Sequence, residues 1–357
     1  AAYRCGQCMD HYRDALSLEL LSARLQAERA TGRSTRSTLN TLATELQVQG
    51  KVDEAEPLFR EALEMDRETL GDRHPSTLTS TNNLGLLLKD KGDLAAAEPL
   101  YREALEGLRE TLGNRHPNTL SSINNLGALL DDKGDHATAE PLLREALQVS
   151  RETLGNRHPT TLNSINNLGG LLKAKGDLAA AEPLLREALE VARETLGSRH
   201  PHTLTSVNNL GGLLQAKGDL AAAEPLLREA LEVRRETLGD RHPDTLVSIN
   251  NLGSLLEDKG DLAAAEPLYH EAMEVQRETL GNRHPSTLTS INNLGTLLYA
   301  KEDLAAAEPL LREALEGRRK TLGNRHPHTL ESIHNVGMLP QAKGDLGAAR
   351  RMLRDAI

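Results

Sequence analysis

The stretch Gly113-Asn114-Arg115-His116-Pro117-Asn118-Thr119-Leu120, followed by Ile123-Asn124-Asn125-Leu126-Gly127, Lys133-Gly134-Asp135 and Ala139-Glu140-Pro141-Leu142, decides the fold. It does so because almost the same text recurs along the chain. Its opening Gly-x-Arg-His-Pro stands at Gly71, Gly113, Gly155, Gly197, Gly239, Gly281 and Gly323, each 42 residues after the last. A fixed period of this size is the signature of a repeat architecture, in which one supersecondary unit is stacked many times. A degenerate unit precedes the seven clear ones, recognisable from Leu42, Gly50, Ala55 and Pro57.

Each unit holds two helical segments. Over about Thr77 to Lys89, Leu87 and Leu88 follow Leu84 by three and four residues, and Leu78 lies nearly two turns before it. From Leu94 to Leu112 the same spacing runs through Leu94, Ala97, Tyr101, Ala104, Leu108 and Leu112. That period is helical, not extended. Lys91-Gly92-Asp93 closes one helix with a permissive glycine and opens the next with an Asp N-cap. Gly113 suits a helix C-terminus, and Pro117 suits the first turn of the following helix. Gly85, Ala97 and Ala104 are expected where two helix backbones approach closely. Pro99 and its equivalents Pro57, Pro141, Pro183, Pro225, Pro267 and Pro309 lie early in the second helix, where a bend is expected.

One such hairpin cannot bury its own apolar face, but a stack can. The expectation is an all-α, right-handed superhelical solenoid of about eight 42-residue units over 34–357, the last truncated. First helices begin near Ser37, Thr77, Thr119, Thr161, Thr203, Thr245, Thr287 and Thr329. Residues 1–33 form a degenerate or capping N-terminal helix, about Asp10 to Ala30. In the last unit Pro340 replaces a leucine and the second helix is cut short. The start at Ala1-Ala2-Tyr3 and the end at Ala356-Ile357 read as a piece of a longer protein.

Composition agrees with helix packed on helix. Aromatics are 2%, with no Trp and a single Phe, against 38% hydrophobic and 26% charged residues. A net charge of -10 argues against nucleic acid, which demands a basic stripe. No run of about 18 apolar residues suggests a membrane span. Two cysteines point to a reducing, cytoplasmic setting.

These motifs resemble the tetratricopeptide repeat, and more closely its 42-residue form in kinesin light chains. The pattern of large, Leu-Gly, large, Ala, large, Ala is met by Ile123, Leu126-Gly127, Leu130, Ala139, Leu143 and Ala146. The light-chain-like text is Arg-Glu-Thr-Leu-Gly, His-Pro, Asn-Asn-Leu and Gly-Asp-Leu-Ala-Ala-Ala-Glu-Pro-Leu, from about Ser34 onward. The resemblance implies a non-catalytic scaffold or adaptor for proteins or extended peptide segments, with a kinesin heavy chain as partner of the full-length protein. It also implies that first helices line a concave groove. The candidate groove residues are then the pairs Asn82/Asn83, Asn124/Asn125, Asn166/Asn167, Asn208/Asn209, Asn250/Asn251 and Asn292/Asn293. An amide can pair with the backbone of any extended peptide, whatever its side chains. The second Asn of each pair matches the groove asparagine of peptide-clamping relatives. The competing reading is that these amides only tie neighbouring helices together.

Nothing else in the sequence carries chemistry. The loop histidines His74, His116, His158, His200, His242, His284 and His326 lie in different repeats without recurring partners, so capping is expected rather than metal binding. Cys5-Gly-Gln-Cys8, with His11, lacks the strand-to-helix context of a redox motif and the second pair of a zinc site. No phosphate-binding loop, nucleophile elbow or His-Glu-x-x-His occurs, and no cofactor or metal is expected. Two other readings compete: the regulatory repeat arm of a larger enzyme or ATPase, and a spacer without a defined ligand.

Overall fold

The computed structural model describes the backbone of residues 2–31 and 35–342, with side chains for 17–31 and 35–339. Sixteen helices are described, fifteen of them following the repeat, and no strand occurs among the described residues. The chain divides into two compact units, Ala1–Leu171 and Leu172–Ile357.

The first unit opens with α1 (Ala2–Thr31), which packs on α2 (Arg36–Val48). Hairpins follow: α2 with α3 (Val52–Leu70), α4 (Pro75–Asp90) with α5 (Leu94–Leu112), and α6 (Pro117–Asp132) with α7 (His136–Leu154). Helix α8 (Pro159–Ala174) contains the division between the units. In the second unit α9 (Leu178–Leu196) packs on α10 (Pro201–Ala216). Three hairpins come next: α10 with α11 (Leu220–Leu238), α12 (Pro243–Asp258) with α13 (Leu262–Thr279), and α14 (Pro285–Ala300) with α15 (Leu304–Leu322). The last described helix is α16 (Pro327–Ala342). Second helices also pack on the first helix of the next repeat, α3 on α4 and α5 on α6 in the first unit, and α9 on α10, α11 on α12, α13 on α14 and α15 on α16 in the second.

The apolar stripes meet as their spacing requires. Leu78, Leu87, Ala97, Tyr101, Ala104 and Leu108 are all fully buried, whereas the stripe's ends, Leu94 and Leu112, are half-buried. Burying a Leu side chain contributes about 1.5–3 kcal/mol, so each repeat is held chiefly by this seam. Gly85 serves a different purpose from the one expected. A Cβ there would lie 2.9 Å from Tyr101 Cε1, so the glycine admits the neighbouring side chain rather than a second backbone.

First helices begin two residues before the expected threonines, because the loop histidine is the N-cap. His74 Nδ1 accepts from Ser76 N at 3.1 Å, and Pro75 takes the first helical position, where a missing N–H costs nothing. The same histidine cap recurs at His116, His158, His200, His242, His284 and His326. Thr77 Oγ1 then donates to Gly71 O at 2.8 Å, closing the loop on itself. Second helices start on the Asp caps; Asp93 accepts from Ala96 N at 3.0 Å. They run unbroken through their prolines.

The turn from first to second helix needs a left-handed residue, supplied by Gly92 at φ 79° and its equivalents. Among the described residues, only Glu302, at φ 65°, stands there without being glycine. Helix α1 starts at Ala2 rather than Asp10, since no proline interrupts the earlier residues. Helix α16 continues through Pro340 to Ala342. The truncated second helix expected after it lies outside the described residues.

Candidate protein-binding face

Adjacent residues on a helix point about 100° apart, so the two members of an Asn-Asn pair cannot do the same thing. The first member turns inward. Asn82, Asn124, Asn166, Asn208 and Asn292 are buried and Asn250 half-buried. Most of them meet a serine one repeat ahead. Ser122 Oγ donates to Asn82 Oδ1 at 3.3 Å, and Asn124 Nδ2 donates to Ser164 Oγ at 2.7 Å. In the second unit Asn208 Nδ2 donates to Ser248 Oγ at 2.9 Å, and Ser332 Oγ to Asn292 Oδ1 at 3.2 Å. These asparagines are struts between successive first helices.

The second member faces outward. Asn83, Asn125, Asn167, Asn209, Asn251 and Asn293 are each half-buried, and the Asn–Ser pairs above run through their sequence neighbours. One turn on come Leu86, Ala128, Gly170, Gly212, Ser254 and Thr296, of which only Leu86 is bulky. In the first unit this face sinks into a cavity of about 230 Å³, bounded by α4, α5, α6 and α8. Its lining brings together Asn124, Asn125 and Asn167, with Leu86, Lys89 and Tyr101 closing one side.

Charged residues near the ends of these helices pair across repeats. Lys89 Nζ lies 2.8 Å from Asp132 Oδ2, and Gln47 Nε2 donates to Asp90 Oδ2 at 2.6 Å. In the second unit Gln215 Nε2 donates to Asp258 Oδ2 at 2.7 Å and to Ser254 Oγ at 2.9 Å. Burial pushes the Lys89 ammonium down, but Asp132, helped by Asp90 and Asp131, outweighs it and holds the group above the usual lysine range. Lys89 is therefore a neutralised cation, not a free clamp for acidic partners.

The sequence reading places Leu108 in the apolar stripe but passes over its counterparts in the other second helices, Asp66, Ser150, Ala192, Arg234, Gln276 and Arg318. The position is buried, and its longer polar occupants reach serines at the strut position of the following helix. Asp66 Oδ2 accepts from Ser80 Oγ at 2.6 Å, Gln276 Oε1 from Ser290 Oγ at 2.6 Å, and Arg318 Nη1 donates to Ser332 Oγ at 2.9 Å. The available signal was its variability within otherwise uniform repeat text.

The tetratricopeptide repeat profile matches overlapping segments 34–110, 80–152, 124–194, 160–236, 203–266, 246–320 and 292–357, which together cover the chain from residue 34 to its end. The chain belongs to the tetratricopeptide repeat family. That membership makes it a protein–protein interaction scaffold in class. The chain is also similar to solved tetratricopeptide-type structures. A Podospora anserina protein described as a candidate kinesin light chain with nearly identical repeats is 28% identical, at TM-score 0.45, covering 58% of this chain and 98% of that one. A single-residue variant of that protein gives 28% and 0.46, covering 58% and 97%. BtubC (BKLC) of P. vanneervenii is 22% identical at TM-score 0.46, covering 63% and 88%. A search of curated proteins returns no matching relative.

Among the described residues no three His, Cys, Asp or Glu side chains gather as a metal-ligand set, and no helix is long and apolar enough to cross a membrane. Cys5, Cys8 and His11 lie on the part of α1 whose side chains are outside the described residues.

Proposed function

We propose that this tetratricopeptide array is a non-catalytic, kinesin light chain-like cargo adaptor, working in the cytoplasm, that holds extended peptide segments of partner proteins against its first helices. Asn83, Asn125, Asn167, Asn209, Asn251 and Asn293 are its binding row, one amide per repeat, while their sequence neighbours hold the helices in register. The observation that carries the reading is this division of each Asn pair. A half-buried amide recurs at six successive repeats, beside mostly small residues. An Asn side chain there offers a donor and an acceptor to a main chain. The array occupies 34–357 in this reading, with 1–33 as its N-terminal cap and a kinesin heavy chain as partner of the full-length protein.

The test is selection of linear peptides from a displayed random library on the purified chain, followed by titration against Asn125→Ala/Asn167→Ala and Asn209→Ala/Asn251→Ala double variants. Selected peptides should bind each double variant at least about tenfold more weakly, the worth of one or two lost hydrogen bonds. Helical circular dichroism should not change. Peptides that bind both variants as well as the parent would remove the asparagine row from the function.

A further inference from the structure

The cavity of the first unit contains two buried polar atoms that the protein leaves unanswered. Tyr101 is fully buried, and its Oη has no hydrogen-bond partner among the described residues. Asn124 is 4% exposed, its Nδ2 is committed to Ser164 at 2.7 Å, and its Oδ1 likewise has no partner there. Both residues line the same cavity of about 230 Å³. Buried polar groups are normally paired, so these two mark a place where something else completes them.

The repeat supplies an internal control. Tyr269 stands four repeats on at the same position and is equally buried, but its Oη donates to Glu257 Oε2 at 3.0 Å. The residue at the Glu257 position in the first unit is Lys89, which offers no acceptor and is turned to Asp132 at 2.8 Å. Tyr101 has thus lost the acceptor that its counterpart keeps, and the cavity stands where that acceptor is missing.

The cavity's two unanswered buried groups are an O–H donor and an amide acceptor, set beside the amides of Asn125, Asn163 and Asn167 and the hydroxyls of Ser121 and Thr160. Asp90 and Asp132 act on Tyr101, and Lys89 is already neutralised, so the field does not favour an anion. A trans peptide group points its C=O and N–H in opposite directions and cannot serve two atoms of one small pocket. A primary carboxamide carries an oxygen and an N–H on the same edge. We propose that this pocket takes the side-chain amide of a Gln or Asn in the partner segment, its carbonyl accepting from Tyr101 Oη and its N–H donating to Asn124 Oδ1. The inference rests on the reading that partner segments lie along this face, and it adds a residue preference to it.

The chain contains five tyrosines, so 3-fluorotyrosine labelling gives few fluorine resonances, and Tyr101→Phe assigns the one that matters. The probes are acetyl-Ala-Ala-Gln-Ala-Ala N-methylamide and the same peptide with Glu or Met at the centre; the N-methyl end avoids a second primary amide. The Gln peptide should shift the Tyr101 resonance at concentrations where the Glu and Met peptides leave it unmoved. Followed through the side-chain amide signal of Asn125, Tyr101→Phe should weaken the Gln peptide roughly fivefold, as expected for one neutral hydrogen bond. A Tyr101 signal that stays still up to the peptide's solubility limit, or answers all three peptides alike, overturns the proposal and leaves the cavity to solvent. If library-selected peptides still depend on Asn125 and Asn167 in that case, the adaptor reading survives without the amide pocket. If the Gln probe alone succeeds while the library yields no binder, the pocket stands and the adaptor reading falls.

Discussion

Asn250 and Ser290 are joined across one repeat, Asn250 Nδ2 donating to Ser290 Oγ at 2.7 Å. Ser290 also reaches Gln276 Oε1 at 2.6 Å, so the strut ties helices α12, α13 and α14 together. Asn250→Ala would leave these buried groups short of partners and should cost about 1–3 kcal/mol. Asn251→Ala, one residue on and half-buried, should cost no more than about 0.5 kcal/mol. Urea unfolding of the two variants checks the contrast. Equal losses would mean that the two amides share a structural role.

The two buried tyrosines should respond oppositely to removal of their hydroxyls. Tyr269→Phe deprives Glu257 of its donor and should lower stability by about 1–2 kcal/mol. Tyr101→Phe removes a hydroxyl without a partner and should be neutral or slightly stabilising. Melting temperatures of the single variants, measured without peptide, decide it.

Glu302 holds a left-handed conformation at φ 65° where its counterparts are glycine. Such a backbone costs a side-chain-bearing residue about 1–2 kcal/mol. Glu302→Gly should therefore raise the melting temperature, with a gain of up to about 1 kcal/mol once glycine's greater freedom when unfolded is subtracted. No gain would mean that the turn is unstrained.

Two helical glycines separate packing from propensity. A Cβ on Gly127 would lie 2.5 Å from Leu143 Cδ2 and 2.7 Å from its Cγ, so Gly127→Ala should destabilise by about 1–2 kcal/mol despite the better helix former. Gly170 has nothing within 4 Å of the same position, and Gly170→Ala should stabilise by about 0.5–1 kcal/mol. Thermal unfolding of the pair gives the signs directly.

Charge ladders should make stability fall in acid. Lys91 Nζ lies 2.7 Å from Glu56 Oε2, and Lys133 reaches Glu98 in the same way one repeat on. The lysine hydrogen bond, assisted by Arg60 or Arg102 and opposed by burial, holds each glutamate below its usual range. A carboxyl lowered on folding contributes stability that is present above its unfolded value and lost as pH falls through the folded one. The loss should appear below about pH 4.5, and Lys133→Met should flatten it. Urea midpoints from neutral pH to about pH 3 would show an unchanged slope if the pair carries no coupling.

How far the sequence could be read follows from where its information sits. The 42-residue period, the Leu and Ala spacing, and the Asp and His-Pro punctuation act within one turn or one hairpin, and all reappear at the named residues. Apolar spacing alone places the helix starts two residues late, because it does not show that His74 is the cap itself. The Asn-Asn pairs marked a recurring stripe on the first helices but not its division, since adjacent residues share a sequence neighbourhood and not a direction.

The sequence by itself determined the helical hairpin and its repetition, because both arise from local periodicity and turn chemistry. Only the tertiary structure decided which asparagine is a strut and which stays half-exposed, and that Tyr101 lost the acceptor Tyr269 keeps. Those outcomes depend on what stands one repeat away, and local spacing does not encode that distance.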